Sequence, residues 1–165
     1  MNRSDKYAWD LAAVLREIPG RKAFHQPLAP YTSIRIGGEA DVCVQVETVQ
    51  ALQQLYEVSR HEDIPLFILG GGTNLLVRDG GIRGIVVKLQ GEVRSYRMRM
   101  LPEGEAAPSA AVDVGVGASL SRLALQLGCQ GWSGLEFAYG IPGTLGGALV
   151  MNAGTNLGDM HSVVT

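Results

Sequence analysis

The sequence predicts an α+β fold, as one domain or two small lobes, and three observations predict it. Between residues 42 and 69 the apolar periodicity switches from strand to helix and back to strand, which is a βαβ unit. A glycine-rich turn, Gly70-Gly71-Gly72-Thr73-Asn74, follows the second of those strands without a break. A second strand–helix pair then leads into Gly131–Gly154 (GWSGLEFAYGIPGTLGGALVMNAG), which holds seven glycines and one proline yet hardly any charge. Surface loops are rarely so apolar, and core elements are rarely so rich in glycine. Glycine gives up the most backbone entropy on ordering, so a fold places it where something must come close. The two glycine-rich stretches are expected to face one another across a bound cofactor.

The elements follow in chain order. Tyr7, Leu11, Val14 and Ile18 recur at helical spacing, with Leu15 widening the stripe, and Pro19-Gly20 ends this first helix after about three turns. Arg21–Pro30 reads as loop. Tyr31–Gly38 (YTSIRIGG) reads as a short strand, and Val42, Val44 and Val46 alternate as a second. Val49, Leu52, Leu55, Tyr56 and Ser59 mark a helix with Thr48 as its N-cap. Leu66–Leu69 is wholly apolar and suits an interior parallel strand.

After the glycine turn, Leu75–Val77 continues as a strand, Arg78–Arg83 turns, and Gly84–Leu89 makes another strand, closing a first lobe near residue 90. Val93–Met100 reads as a strand whose three arginines, Arg94, Arg97 and Arg99, face solvent, and Leu101–Ala110 as a hairpin or loop. Ala111–Val116 is a strand. Ser119 caps a helix with Leu120, Leu123, Ala124 and Leu127 on one face, closed by Gly128. The final helix starts just after Pro142 and ends near Val150, with Gly154 beyond its end. Gly146 and Gly147 inside it imply very close packing by a ligand or by another main chain.

Composition narrows the function. Of 165 residues, 46% are hydrophobic and only 18% charged, with a net charge of −2. That balance, with a pI near 5.9, excludes a basic nucleic-acid footprint and a polybasic membrane patch. The low charge fits surface hidden by a ligand or partner, and equally fits simple dilution by glycine and alanine. Cys43 and Cys129 have no metal or redox spacing, and His25, His61 and His161 are scattered, so no metal site is expected. Neither an uninterrupted apolar leader nor a membrane-length run is present, so a cytoplasmic protein is expected.

The motifs narrow it further. A dinucleotide G-x-G-x-x-G opening a helix and a P-loop are both missing. Ser133 only superficially resembles a nucleophile elbow. Asp41, Asp79, Asp113, Glu136 and Asp159 form no carboxylate pair that spacing defends. What remains is a holder of a cofactor that itself supplies the chemistry. Consecutive backbone N–H groups in a turn such as Gly70–Asn74 make an anion nest, with Thr73 and Asn74 adding donors, and a diphosphate fits it.

Four blocks in order, Thr32–Gly38 (TSIRIGG), Leu69–Asp79 (LGGGTNLLVRD), Val114–Gly117 with its helix, and Gly134–Gly154, resemble the flavin-binding region of the UDP-N-acetylenolpyruvoylglucosamine reductase family. The resemblance runs from about Ala29 to the last residue and is most specific in G-I-P-G-T-x-G-G-A followed by N-A-G. It implies FAD, and the two-lobed flavin-binding fold shared with vanillyl-alcohol-type (PCMH-type) oxidases. Lobes over 1–90 and 91–165 are implied, the second incomplete, with the C-terminal substrate domain absent. It further implies hydride transfer from NADPH through the flavin to the enolpyruvyl ether of a UDP-sugar, making UDP-N-acetylmuramate for peptidoglycan.

On this sequence Gly70, Gly71, Gly72, Thr73, Asn74 and Leu75 would hold the diphosphate. Ile141, Pro142, Gly143, Thr144, Gly146, Gly147, Asn152, Ala153 and Gly154 would line the flavin and ribityl chain. Thr32, Ile34, Arg35, Ile36 and Glu136 would contribute nearby. The family's catalytic serine, arginine and glutamate fall beyond Thr165, so the chain itself is expected to be inactive. Its last residues, Val163-Val164-Thr165, resemble the beginning of a strand. The sequence departs from the family pattern at Thr73, where serine is usual, at Tyr31, and at Thr155-Asn156-Leu157. Alternatives at this stage are another flavin oxidoreductase of the same fold, or a non-catalytic structural or interaction module.

Overall fold

The computed structural model describes residues 10–102 and 108–165. These group into two compact units, one drawn from Met1–Leu69 and Leu76–Lys88, the other from Gly70–Leu75 and Leu89–Thr165. Tyr7 and residues 103–107 of the predicted loop lie outside the described residues.

In the first unit, α1 (Leu11–Val14) is a single turn capped by Asp10, whose carboxylate accepts from the Ala13 N–H at 3.0 Å. The apolar stripe nevertheless does its packing: Leu11, Leu15 and Ile18 are all buried. A four-stranded sheet follows, in the order β1-β2-β4-β3. Its strands are β1 (Arg21–Pro27), β2 (Glu39–Val46), β3 (Leu66–Leu69) and β4 (Ile82–Leu89).

Arg21–Pro27 was expected to be loop and is instead an edge strand, antiparallel to β2 with Lys22 opposite Val44. It carries no buried residue, so periodicity had nothing to register; the ladder to β2 holds it. Residues 31–38, expected as a strand, form a 3-10 turn and an irregular segment.

The core lies on the middle strands. Val42, Val44, Val46, Ile85, Val86 and Val87 are wholly shielded from solvent, and Cys43 between them is nearly so. Each such side chain contributes about 1.5–3 kcal/mol. Helix α2 (Val49–His61) packs on β2 through Ala51, Leu55 and Ser59. The Thr48 hydroxyl accepts from the Ala51 N–H, as expected of an N-cap. At the other end Ser59 and Ile64 clasp reciprocally, hydroxyl to carbonyl at 2.7 Å and N–H to carbonyl at 2.9 Å.

Strand β3 is parallel to β4, with Leu66 opposite Ile85. It is not interior, however: it is the edge of the sheet, and Phe67 and Ile68 are exposed. The later strand β4 inserts between β2 and β3, a choice that periodicity in either strand does not encode. Residues 75–77 are also not a strand. There the chain runs past Gly37-Gly38, and the Gly38 N–H donates to the Arg78 carbonyl at 3.0 Å. Main chain meets main chain so closely that a Cβ on Gly38 would collide with the Asp79 carbonyl, and one on Gly81 with the Glu39 carbonyl. Asp41 ties this corner down, accepting from the Gly84 N–H at 2.7 Å and pairing with Arg83 at 2.9 Å.

In the second unit, a 3-10 turn (Gly91–Arg94) precedes β5 (Tyr96–Met100), so only the latter part of the predicted 93–100 strand is a strand. It pairs antiparallel with β6 (Ala110–Val114), Arg97 opposite Asp113. Helix α3 (Leu120–Cys129) buries Leu120, Leu123, Ala124 and Leu127, the face read from spacing. It runs through Gly128 and is followed by Gly131 at φ +85°. Helix α4 (Leu145–Met151) ends on Asn152, itself left-handed at φ +44°. Gly154, expected beyond the helix end as its cap, instead sits in a small hairpin of β7 (Gly154–Thr155) and β8 (Gly158–Asp159). Residues 163–165 follow a 3-10 turn and are not a strand. Among the described residues no helix is long and apolar enough to cross a membrane, and no group of three or more His, Cys, Asp or Glu side chains could hold a metal ion.

Two outcomes test this packing. Burial raises the Cys43 thiol above its ordinary pKa, with Lys88 pulling it part of the way back, whereas Cys129 is exposed. A thiol-reactive disulfide should therefore label Cys129 in the native protein and Cys43 only after denaturation. Asp41→Ala strands the Gly84 N–H and should cost about 1–3 kcal/mol in urea unfolding.

Candidate functional site

The starts of α3 and α4 are held against each other by main chain. Ser119 and Thr144 form an isolated antiparallel bridge. Around it the Leu120 N–H donates to the Gly143 carbonyl at 3.2 Å, Leu145 to Ala118 at 2.8 Å, and Gly146 to Val116 at 2.8 Å. The first N–H groups of a helix have no partner within it; here each helix start finds partners in the segment leading into the other. Thr144 completes the cap of α4, its hydroxyl accepting from Gly147 at 3.4 Å. A Cβ on Gly146 would stand 3.0 Å from the Val116 Cβ. The glycine inside the helix thus answers to another main chain, one of the two reasons its position suggested.

The loop Gly70–Leu75 lies on this joint. A Cβ on Gly70 would be 2.6 Å from the Thr144 hydroxyl oxygen, and one on Gly71 would be 2.7 Å from the Gly143 Cα. The Thr73 hydroxyl donates to the Pro142 carbonyl at 3.4 Å. The two glycine-rich stretches do face one another, but in direct contact, with no room for a ligand between Gly71 and Gly143. Gly72 is buried and adopts φ +64°, bending the loop. Thr73 and Asn74 are both exposed, Thr73 with its hydroxyl tied to Pro142, and the Asn74 amide has no hydrogen-bond partner among the described residues.

This arrangement decides which groups can meet an anion. The opening N–H groups of α4 are spent on Ala118, Val116 and Thr144, so the helix start is not open to a phosphate. At the loop the exposed Asn74 amide is a donor left over, and its chemistry fits a diphosphate oxygen. Main chain is also bare nearby. A Cβ on Gly140 would meet nothing within 4 Å, and one on the exposed Gly147 would meet only the Thr144 hydroxyl at 3.5 Å. A flat ligand can lie against such a surface, so the residues present fit a flavin.

The remaining predicted residues are placed as follows. Ile141 and Ala153 pack as partly buried side chains on a cluster of Leu120, Ala124, Phe137, Ala138, Leu145, Ala148 and Met160. Asn152 is engaged locally, donating to Asp159 at 3.2 Å and accepting from the His161 N–H at 2.9 Å. A Cβ on Gly154 would meet the Asp159 Cβ at 2.6 Å, so the hairpin needs this glycine. Glu136 is exposed and accepts from the Gly134 N–H at 2.7 Å.

In the first unit, Thr32 is buried and its hydroxyl donates between the Ala29 and Ile36 carbonyls. Arg35 there holds φ +57°, strained for a side chain of its kind, and Ile34 and Ile36 are more than half exposed. Strain of this sort persists only where the surroundings over-determine it. Sequence reasoning passed over Val116 and Ala118 as site residues. Their signal is the G-V-G-A-S run before α3, whose small residues admit the second main chain.

The FAD-binding domain family model matches residues 40–165. The chain belongs to the FAD-binding domain family. Its fold is accordingly an α+β FAD-binding fold. It is 45% identical over 154 residues to UDP-N-acetylenolpyruvoylglucosamine reductase 2 of Symbiobacterium thermophilum, covering 93% of this chain and 47% of that one. It is 43% identical to the reductase of Bacillus subtilis, covering 90% and 46%. The crystal structure of the same reductase from Thermus caldophilus superposes with a TM-score of 0.64 at 34% identity, over 86% of this chain and 45% of that one. The FAD-binding domain thus spans about half the length of the curated relatives it matches.

Two glycines separate close packing from its absence. Gly71→Ala must push Gly143 away and should destabilise the protein by about 1–3 kcal/mol. Gly128→Ala, in α3 with open space around it, should stabilise by about 0.5 kcal/mol. Thermal unfolding of both variants reads the contrast.

Proposed function

We infer that this FAD-binding domain holds the FAD of a UDP-N-acetylenolpyruvoylglucosamine reductase. The observation that carries the reading is the exposed Asn74 at the tip of a loop whose Thr73 hydroxyl is seated on Pro142, beside α4 N–H groups already spent. In this reading Gly70, Gly71, Gly72, Thr73, Asn74 and Leu75 hold the diphosphate. Ile141–Gly147 and Asn152–Gly154 line the flavin and ribityl chain, mostly through main chain. Thr32–Ile36 of the first unit and Glu136 are further contacts, and the lobes run over 1–90 and 91–165 with Gly70–Leu75 counted to the second.

Bound flavin supplies hydride chemistry that no side chain can. The protein's part is to orient it and keep main-chain donors on its phosphates. The parent reaction is the NADPH-dependent reduction of the enolpyruvyl ether of a UDP-sugar, in the cytoplasm, for peptidoglycan synthesis. Support comes from the reductase relatives at 41–45% identity. In this reading residues 1–165 serve binding alone.

Purified protein should take up FAD, seen as a shift of the visible flavin band and quenching of its fluorescence. Asn74→Ala should weaken that binding by about tenfold without lowering the unfolding temperature of the apo-protein, because Asn74 supports nothing else. Failure to bind FAD, or equal binding by the variant, would overturn the reading. The same preparation should show no enolpyruvyl reduction coupled to NADPH oxidation.

A further inference from the structure

Away from Gly70–Leu75, the second unit carries a cleft of about 310 Å³ between the start of β5 and the first turns of α3, lined by Arg94, Tyr96, Ser119, Arg122, Leu123 and Gln126 among others. Its lining contains two guanidinium groups and no carboxylate.

Arg94 is not a swinging surface side chain. Its Nε donates to the Gly117 carbonyl at 3.3 Å and its Nη1 to the Gln90 Oε1 at 2.6 Å. Its stem lies so close to Gly117 that a Cβ there would stand 3.0 Å from the Arg94 Cγ. Both hydrogen-bond acceptors are neutral, so the guanidinium is fixed in place while its charge stays uncompensated by them. Arg122 enters the same cleft from α3 and has no hydrogen-bond or ion-pair partner among the described residues. Arg94 is exposed, as the sequence reading expected, but its guanidinium is tethered by two hydrogen bonds.

We propose that this cleft binds a small phosphate monoester. A phosphate group carries a charge of about −1.5 to −2 at neutral pH and three acceptor oxygens, which matches two guanidiniums better than a carboxylate does. The hydroxyl-bearing Ser119 and Tyr96 and the Gln126 amide belong to the same lining, and Leu123 and the Tyr96 ring give the organic part of the ester an apolar wall. The volume exceeds what a bare phosphate fills and lies at the low end for small-molecule sites. The cleft shares no residue with Gly70–Leu75 or Ile141–Gly154, although Ala118 and Ser119 on its wall also take part in the α3–α4 joint.

The test is an amide-resolved NMR titration of the full chain with inorganic phosphate and with phenyl phosphate, at constant ionic strength, with and without saturating FAD. The expected result is saturable shifts at Tyr96, Ser119, Arg122 and Gln126, tighter for phenyl phosphate and present in both flavin states. Arg122→Gln should weaken binding about tenfold, and Arg97→Gln, outside the cleft, should leave it within about twofold. Shifts confined to Gly71–Leu75, equal affinity in Arg122→Gln, or no saturable shift would each overturn the proposal.

Discussion

The second unit depends on one reciprocal arrangement: the start of α3 and the start of α4 satisfy one another's backbone. A helix start leaves N–H groups that must find acceptors, and a buried unsatisfied donor costs more than a formed bond returns. Leu120, Leu145 and Gly146 find theirs in Gly143, Ala118 and Val116. The consequence is geometric. The two helix starts meet through the main chain that leads into each, and at Gly146 a Cβ would crowd Val116.

The loop Gly70–Leu75 inherits its shape from that joint. It rests on Gly143 and Thr144 at distances that exclude any Cβ on Gly70 or Gly71. At its tip Asn74 is left exposed, while Thr73 turns its hydroxyl back onto Pro142. The glycines are thus a structural requirement first. Their ligand-binding consequence is indirect: they hold a turn rigid and leave its donors exposed. A similar logic operates in the first unit, where Gly38 and Gly81 let two main-chain segments touch and Asp41 closes the corner.

Much of the fold was legible from periodicity because its buried faces are regular. Val42, Val44 and Val46 marked β2, and Leu120, Leu123, Ala124 and Leu127 marked α3, since each set must point one way. The failures share the opposite cause. Strand β1 buries nothing, so its pairing with β2 left no pattern in Arg21–Pro27. Residues 31–38 and 75–77 look strand-like because they are apolar, yet their hydrogen bonds go to turns and to each other's neighbourhood, such as Gly38 to Arg78. Helix ends were misjudged at Gly128 and Gly154 because any glycine near a helix end suits a cap. Gln130–Gly131 and the left-handed Asn152 took those roles.

The candidate site divides along the same line. By itself the sequence determined that two glycine-rich segments and a T-N pair belong together, because glycine density in an apolar context has few other uses. Their order and wording also determined the family to which the chain belongs. Only the tertiary structure decided that the segments touch directly, that the α4 N–H groups are already spent, and that Asn152 serves its own hairpin. It also decided that Arg94 is fixed beside Arg122 in a cleft without a carboxylate. The reason is physical: residue type sets which contacts are possible, but a backbone donor has many possible acceptors, and only the packed chain shows which one it found.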